Sequence, residues 1–189
     1  MKKILLIIAL ALCIFQMVVL ATTIDIGSSV IYRDFALDNA VTHIVVANPA
    51  NASGKITSVE IYALNTMATC KVATFYNVSG LTFATRDYEE VGEVLEGAKR
   101  TFTVDLDVQE GDYIGMKFSS GNGCTTNAGS GYWYYYGDGI PGQKTYILSS
   151  SHTLSLYGTG ETVAVGIVWN GITITKWNGV TITIPLNTQ

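Results

Sequence analysis

Period-two alternation of apolar and polar residues recurs along the chain beyond residue 21, and helical spacing is almost absent there. That pattern predicts an all-β domain. The cleanest run is Phe102-Thr103-Val104-Asp105-Leu106-Asp107-Val108. Phe102, Val104, Leu106 and Val108 share one face, expected in the core, while Thr103, Asp105 and Asp107 share the other. Comparable strands are expected over 56–64, with Val59, Ile61 and Ala63 inward, and over 70–78, where either face could be buried. Shorter ones are expected over 42–47, 113–118, 132–136, 145–148 and 153–157. Turn signals fall between them, among them Asn48-Pro49, Ser79-Gly80, Glu110-Gly111-Asp112, Gly121-Asn122-Gly123 and Pro141-Gly142. The segment 89–99 is interrupted by Gly92 and Gly97 and reads as a loop. Short strands with connections of varied length favour an antiparallel β-sandwich, jelly-roll or Greek-key like, over an up-and-down barrel.

The two ends of the chain depart from this pattern. Lys2 and Lys3 precede an apolar run from Ile4 to Leu20 broken only by Gln16, and Val19-Leu20-Ala21 supplies small residues before Thr22. Residues 1–21 are therefore expected to be a secretory signal helix cut after Ala21. The run is short for a membrane span of about 20 apolar residues, so contact with a membrane is expected only through an uncut signal. Leu12 before Cys13 does not suit lipoprotein processing. At the other end, Trp169-Asn170-Gly171-Ile172-Thr173-Ile174-Thr175-Lys176 is followed at once by Trp177-Asn178-Gly179-Val180-Thr181-Ile182-Thr183-Ile184. Each Asn-Gly suits a two-residue type I′ turn and predicts a small meander over 161–189, appended to a sandwich over 22–160. Its register puts Ile172 and Ile174 on one face with Trp169, and Val180 and Ile182 on the opposite face with Trp177. Apolar groups on both faces need cover, from the domain itself or from another copy in a homo-oligomer.

Composition narrows the partners. Without residues 1–21 the chain carries 9 basic residues (11 less Lys2 and Lys3) against 15 acidic ones, a formal charge of −6. Nucleic acid and anionic membrane surfaces reward clustered Lys and Arg, so neither is an expected partner. Charged residues are sparse at 14%, leaving hydroxyls and amides to face solvent, as in extracellular β proteins. Cys70 and Cys124 remain after processing. In an oxidising compartment they are expected to pair, closing a loop of about 53 residues for roughly 4 kcal/mol; the alternative is one buried thiol in a strand and another in a loop.

Candidate chemistry is thin. His43 and His152 stand in no metal-ligand spacing and beside no nucleophile motif, and His43, next to Ile44-Val45-Val46, reads as a structural histidine. No nucleophile elbow, P-loop or dinucleotide fingerprint occurs, and no resident cofactor is expected. Asp105, Asp107, Glu110 and Asp112 admit two readings. Their carboxylates could gather round calcium, in support of a hydrolase, or they could be the outward face of a sheet with an ordinary β-turn. Asp105 and Asp107, two apart on one strand, do not oppose each other across a substrate as glycoside hydrolysis requires. Asn51-Ala52-Ser53 and Asn77-Val78-Ser79 match the N-glycosylation sequon.

The densest feature is Tyr132-Trp133-Tyr134-Tyr135-Tyr136, followed by Gly137-Asp138-Gly139. Alternation sends Tyr132, Tyr134 and Tyr136 to one side and Trp133 and Tyr135 to the other. Flat aromatic faces stack on sugars, and Asp138 could accept from sugar hydroxyls, so a glycan or cell-surface ligand is the candidate partner. The alternative is an aromatic sheet face packed in the core.

Several stretches carry a resemblance: Ile56-Thr57-Ser58-Val59-Glu60-Ile61, Cys70-Lys71-Val72-Ala73-Thr74-Phe75, Asp107-Val108-Gln109-Glu110-Gly111-Asp112-Tyr113-Ile114-Gly115 and Leu154-Ser155-Leu156-Tyr157-Gly158. They resemble uncharacterised β-sandwich domains of phage-like and environmental sequences. Lys176-Trp177-Asn178-Gly179-Val180 looks like the Lys-x-Asn-Gly-Val segments of phage tail and appendage proteins. The resemblance covers about two-thirds of the chain beyond Ala21, rests on structural turns, and implies an appendage or surface-display role with no binding residues to carry over. The sequence thus leads to a secreted, non-enzymatic sandwich that recognises a surface through 132–136. The alternatives are a fibre or oligomer subunit joined through its C-terminal strands, and a calcium-dependent hydrolase.

Overall fold

The computed structural model describes residues 22–126 and 128–162. Residues 1–21, read as a secretory signal, and Trp169, Ile172, Ile174, Trp177, Val180 and Ile182, read as assembly residues, lie outside the described residues. Among those described there is no helix. Thirteen strands, all paired antiparallel, run in the order β1 Thr23–Gly27, β2 Phe35–Leu37, β3 Val41–Val45, β4 Gly54–Ser79, β5 Thr82–Val94, β6 Lys99–Val108, β7 Tyr113–Lys117, β8 Ser120–Thr126, β9 Tyr132–Tyr136, β10 Gln143–Thr145, β11 Ile147–Ser149, β12 Thr153–Leu154 and β13 Leu156–Glu161.

The spine is β4, whose 26 residues join two regions that alternation separated. Its first part lies between β13 and β6, its middle pairs β8, and its last part lies between β7 and β5. A straight strand of that length would span on the order of 85 Å at about 3.3 Å per residue. Register shifts at 56/58, 63/65, 65/68 and 67/70 bend it instead. Thr69, with φ of 46°, falls at the last of these. The first shift also explains why Ile56 and Val59, three apart, are both buried, since a bulge resets the side-chain parity.

Bending creates two cores. One unites Ile24 and Ile26 of β1, Ile56, Val59 and Ile61 of β4, and Val104, Leu106 and Val108 of β6 with Val45 of β3 and Ile114 and Met116 of β7. The other holds Ile44, Ala73, Phe75, Phe83, Ile140 and Tyr146, with Tyr113, Trp133 and Tyr135 packed against it. The sheet of β4, β7, β3 and β9 lies between them, so every residue of β3 is buried. Residues 143–149 complete the second core: β10 pairs β5 and β11 pairs β9, on either side of buried Tyr146. They link the two margins of that sheet into a ring of β4, β5, β10 with β11, β9, β3 and β7.

The alternation read over 102–108 holds, with Val104, Leu106 and Val108 buried and the residues between them exposed. The loop expected over 89–99 is corrected: β5 continues to Val94 and β6 begins at Lys99. Gly92, at φ of 79°, sits at the register break opposite Cys70, so the glycine marks a bulge within the ribbon and not its end. Likewise Gly121-Asn122-Gly123 is not a turn but the first half of β8.

Free strand margins are capped by side chains. On β6, the Asp105 amide donates to Glu89 Oε1 at 2.6 Å and the Asp107 amide to Asp87 Oδ2 at 2.9 Å. On β1, Asn51 takes a strand's place, accepting from the Asp25 amide at 3.1 Å and donating to the Thr23 carbonyl at 3.3 Å. Both devices satisfy groups that would otherwise recruit another chain.

At Gly160 an added Cβ would run into the Lys55 carbonyl of the neighbouring strand. We expect Gly160→Ala to cost about 3 kcal/mol by forced separation of β13 from β4. Urea denaturation checks it, and an unchanged midpoint would refute the close packing of these strands.

Candidate functional site

Strand β9 is fixed from both sides. Tyr132, Tyr134 and Tyr136 pair with Val45, His43 and Val41 of β3, and Tyr132 and Tyr134 also pair with Ser149 and Ile147 of β11. Alternation then divides its aromatics as the sequence implied, but the two sets have different fates. Trp133 stacks at a tilt on Phe83, 4.5 Å between centroids, and meets Tyr113 edge-on at 4.9 Å. Tyr135 leans on Tyr146 at 6.0 Å. These two belong to the second core, as the packing alternative expected.

The tyrosines of the opposite face form a ladder that climbs from the protein to solvent. Tyr132 meets His43 edge-on at 5.4 Å and His152 at 5.7 Å. Tyr134 follows at 6.0 Å and Tyr136 at 5.3 Å beyond it. Tyr136 is 69% exposed, more than any other large apolar side chain among the described residues, and Ile147 beside Tyr134 is 49% exposed. The available face therefore reduces to Tyr134 and Tyr136 with Ile147 at its margin.

Asp138 does not join that face. Its Oδ2 accepts from Lys71 Nζ at 2.9 Å and lies 4.0 Å from Lys117 Nζ, while Oδ1 accepts from the Ile140 amide at 3.0 Å. Lys71, Lys117, Thr42 and Tyr135 stand in register across β4, β7, β3 and β9. They share the face of Trp133, opposite the ladder. Thr42 ties down the loop above them, donating to the Gly137 carbonyl at 2.8 Å and accepting from the Gly139 amide at 2.9 Å. Burial opposes ionisation of Asp138, but Lys71, the Ile140 amide and Lys117 outweigh it and hold the carboxyl below its ordinary range.

The acidic residues read as a calcium set are not brought to one point. Lys55 Nζ sits between Asp105 and Asp107, at 3.0 and 2.9 Å. Asp112 is buried and clamped by Arg86, whose Nε bonds Oδ2 and whose Nη2 lies 2.9 Å from Oδ1. It also accepts from the Gln109 amide at 2.8 Å, closing the turn. Glu110 is exposed at that turn's tip, its amide donating to Ser53. Lys55 engages Asp105 and Asp107 while Arg86 and the Gln109 amide engage Asp112, and no group of three or more His, Cys, Asp or Glu among the described residues is placed to hold a metal ion.

The expected disulfide is also corrected. Cys70 and Cys124 are separate, buried thiols. Gly123 pairs with Ala63, which puts Cys124 near Tyr62, roughly eight residues along β4 from Cys70. Along β8 the four residues from Ser120, which pairs with Ala68, to Cys124 already span on the order of 13 Å, above the limit of about 7 Å for a bridge. Burial pushes the Cys70 thiol up to about 12. Cys124 accepts from the Arg33 amide at 2.7 Å.

His43 is structural, as its surroundings suggested. Its Nε2 donates to the Asp38 carbonyl at 2.9 Å, and its buried Nδ1 has no partner. The structure adds one contact that spacing did not reveal, Ser149 Oγ at 3.1 Å from His152 Nδ1. The Ser150 carbonyl, 3.2 Å from the same nitrogen, can only accept. Which of the two contacts Nδ1 makes depends on the imidazole tautomer, and among the described residues no acidic side chain hydrogen-bonds the ring to orient it as a catalytic base requires. Of the two sequon asparagines, Asn51 is engaged with β1 and Asn77 donates to the Gly80 carbonyl at 2.8 Å. No protein-family model matches this chain, and no curated protein matches it.

Two expectations follow. Burial lowers His43 to about 4 from an ordinary 6.5, against weaker support from Asp38. Between those values the unfolded chain takes up a proton that the folded one refuses, so this residue's contribution falls as pH drops through that window, by about 3 kcal/mol in all. Urea titrations at pH 7 and pH 4 should show His43→Phe gaining that much on the parent, and a difference independent of pH would contradict a neutral buried imidazole. Thiol counting in denaturant should return the same number with and without prior reductant; a rise after reduction would restore the bridge.

Proposed function

We propose that this chain is a secreted, non-catalytic recognition module that holds glycan on the tyrosine face of β9. The observation that carries the reading is the outward ladder, Tyr134 half-buried and Tyr136 69% exposed, at the end of a strand held between two others and backed by aromatic packing. Aromatic rings that stay exposed on a rigid strand offer area for stacking at little cost in conformational freedom. In this reading the domain is a β-sandwich: the first half of β4 with β1, β13 and β6 faces the second half with β7, β3 and β9 across the larger core. The capped margins of β1 and β6 suit a discrete module outside the cell, and the resemblance to phage-like display domains suits a part that presents a surface.

Tyr134→Ala and Tyr136→Ala should each weaken retention on a glycan array by about tenfold while leaving thermal stability nearly unchanged. Trp133→Ala should instead lower stability by about 3 kcal/mol, because it empties part of the second core. Retention that survives the double tyrosine variant would remove β9 as the binding strand.

A further inference from the structure

We infer that the ligand of this surface is a neutral polysaccharide, and that acidic glycans are turned away. The inference rests on the reading of β9 as the binding strand and adds the chemical class of what binds there. Its basis is how the register sorts charge between the two faces of one sheet. Beside Tyr134 and Tyr136 stand Val41 and His43 of β3 and Ile147 of β11, none of them a cation, since His43 is buried and spends its Nε2 hydrogen on the Asp38 carbonyl. Asp38, whose carbonyl accepts from His43 on this side, is an acidic residue exposed in the turn before β3.

Among the described residues, three lysines lie on the other face of this sheet. Lys71 and Lys117 converge on Asp138, and Lys144 Nζ covers the Tyr135 ring at 5.5 Å from its centroid. Recognition of carboxylated or sulfated sugars uses Arg or Lys in charge-assisted hydrogen bonds. Among the described residues the strand neighbours of the ladder offer none, and Asp38 adds repulsion. What it does offer is ring faces, ring edges and phenol hydroxyls, which suit the C–H faces and hydroxyls of uncharged pyranoses. Binding built on such contacts has little dependence on salt, because no ion pair is there to be screened.

The test is native gel electrophoresis of the full chain through gels cast with soluble polysaccharide: neutral xylan and hydroxyethyl cellulose in one set, polygalacturonate and alginate in the other. The expected result is retardation in at least one neutral gel, reduced about tenfold by Tyr136→Ala. It should also be unchanged between about 0.1 and 1 M salt, where the screening length falls from about 10 Å to about 3 Å. Retardation confined to the acidic gels and lost in Tyr136→Ala would overturn neutrality while leaving β9 as the binding strand. Retardation that Lys71→Ala or Lys144→Ala abolishes and Tyr136→Ala does not would move binding to the lysine face and overturn both readings. Free migration in every gel would likewise overturn both.

Discussion

Everything in this domain depends on the hydrogen bonding of one strand. β4 pairs with β5, β6, β7, β8 and β13, and its length forces it to turn from one sheet into another. Each bulge gives up regular pairing locally and gains a change of direction and side-chain parity. Residues of both halves of the strand pack into the first core, and the far half has a second face left over. That second face cannot stay wet with Phe75, Phe83 and Trp133 upon it; the run 143–149 and the loop 137–142 cover it, placing Tyr146 and Ile140 inside.

Burial on both faces is what singles out the tyrosines. β3 has no exposed residue, yet β9 beside it leaves the same sheet with Tyr136 mostly in solvent. The contrast arises because the ladder runs outward from the first core, where Tyr132 touches His43, to a rim that no described strand covers. A side chain left out in this way on well-packed backbone differs from a mobile loop residue, since the strand pairing fixes its position. The same two-sidedness separates charge: the lysines that neutralise Asp138 share a face with the second core and are unavailable to the ladder.

Much of this was legible from alternation. The strand around Val104 and Leu106, the inward set Val59, Ile61 and Ala63, and the division of 132–136 into two faces all follow from period two, because local burial on one side writes itself directly into the sequence. Three things did not follow. Continuity of β4 through Asn65 to Thr69 is invisible, since bulges break the period where the strand bends. Gly92 and the Gly-Asn-Gly of β8 read as punctuation, although each lies within a strand. Pair partners were the hardest: Asp138 and the ladder are close in sequence but on opposite faces, Cys70 and Cys124 are both buried without meeting, and Lys55 and Arg86, which engage the acidic residues, come from strands far along the chain. Alternation reports which way a side chain points and carries no information on what stands opposite it.

The central claim is that Tyr134 and Tyr136 form the contact surface while their neighbours on the other face hold it in place. Two-dimensional NMR of the full chain titrated with a neutral oligosaccharide tests this most directly, because each face reports separately. The expected result is a set of shifts confined to Tyr134, Tyr136, Val41 and Ile147, with Trp133, Lys71 and Lys117 unmoved. Shifts centred on Lys71, Lys117 and Asp138, or none at saturating sugar, would contradict it.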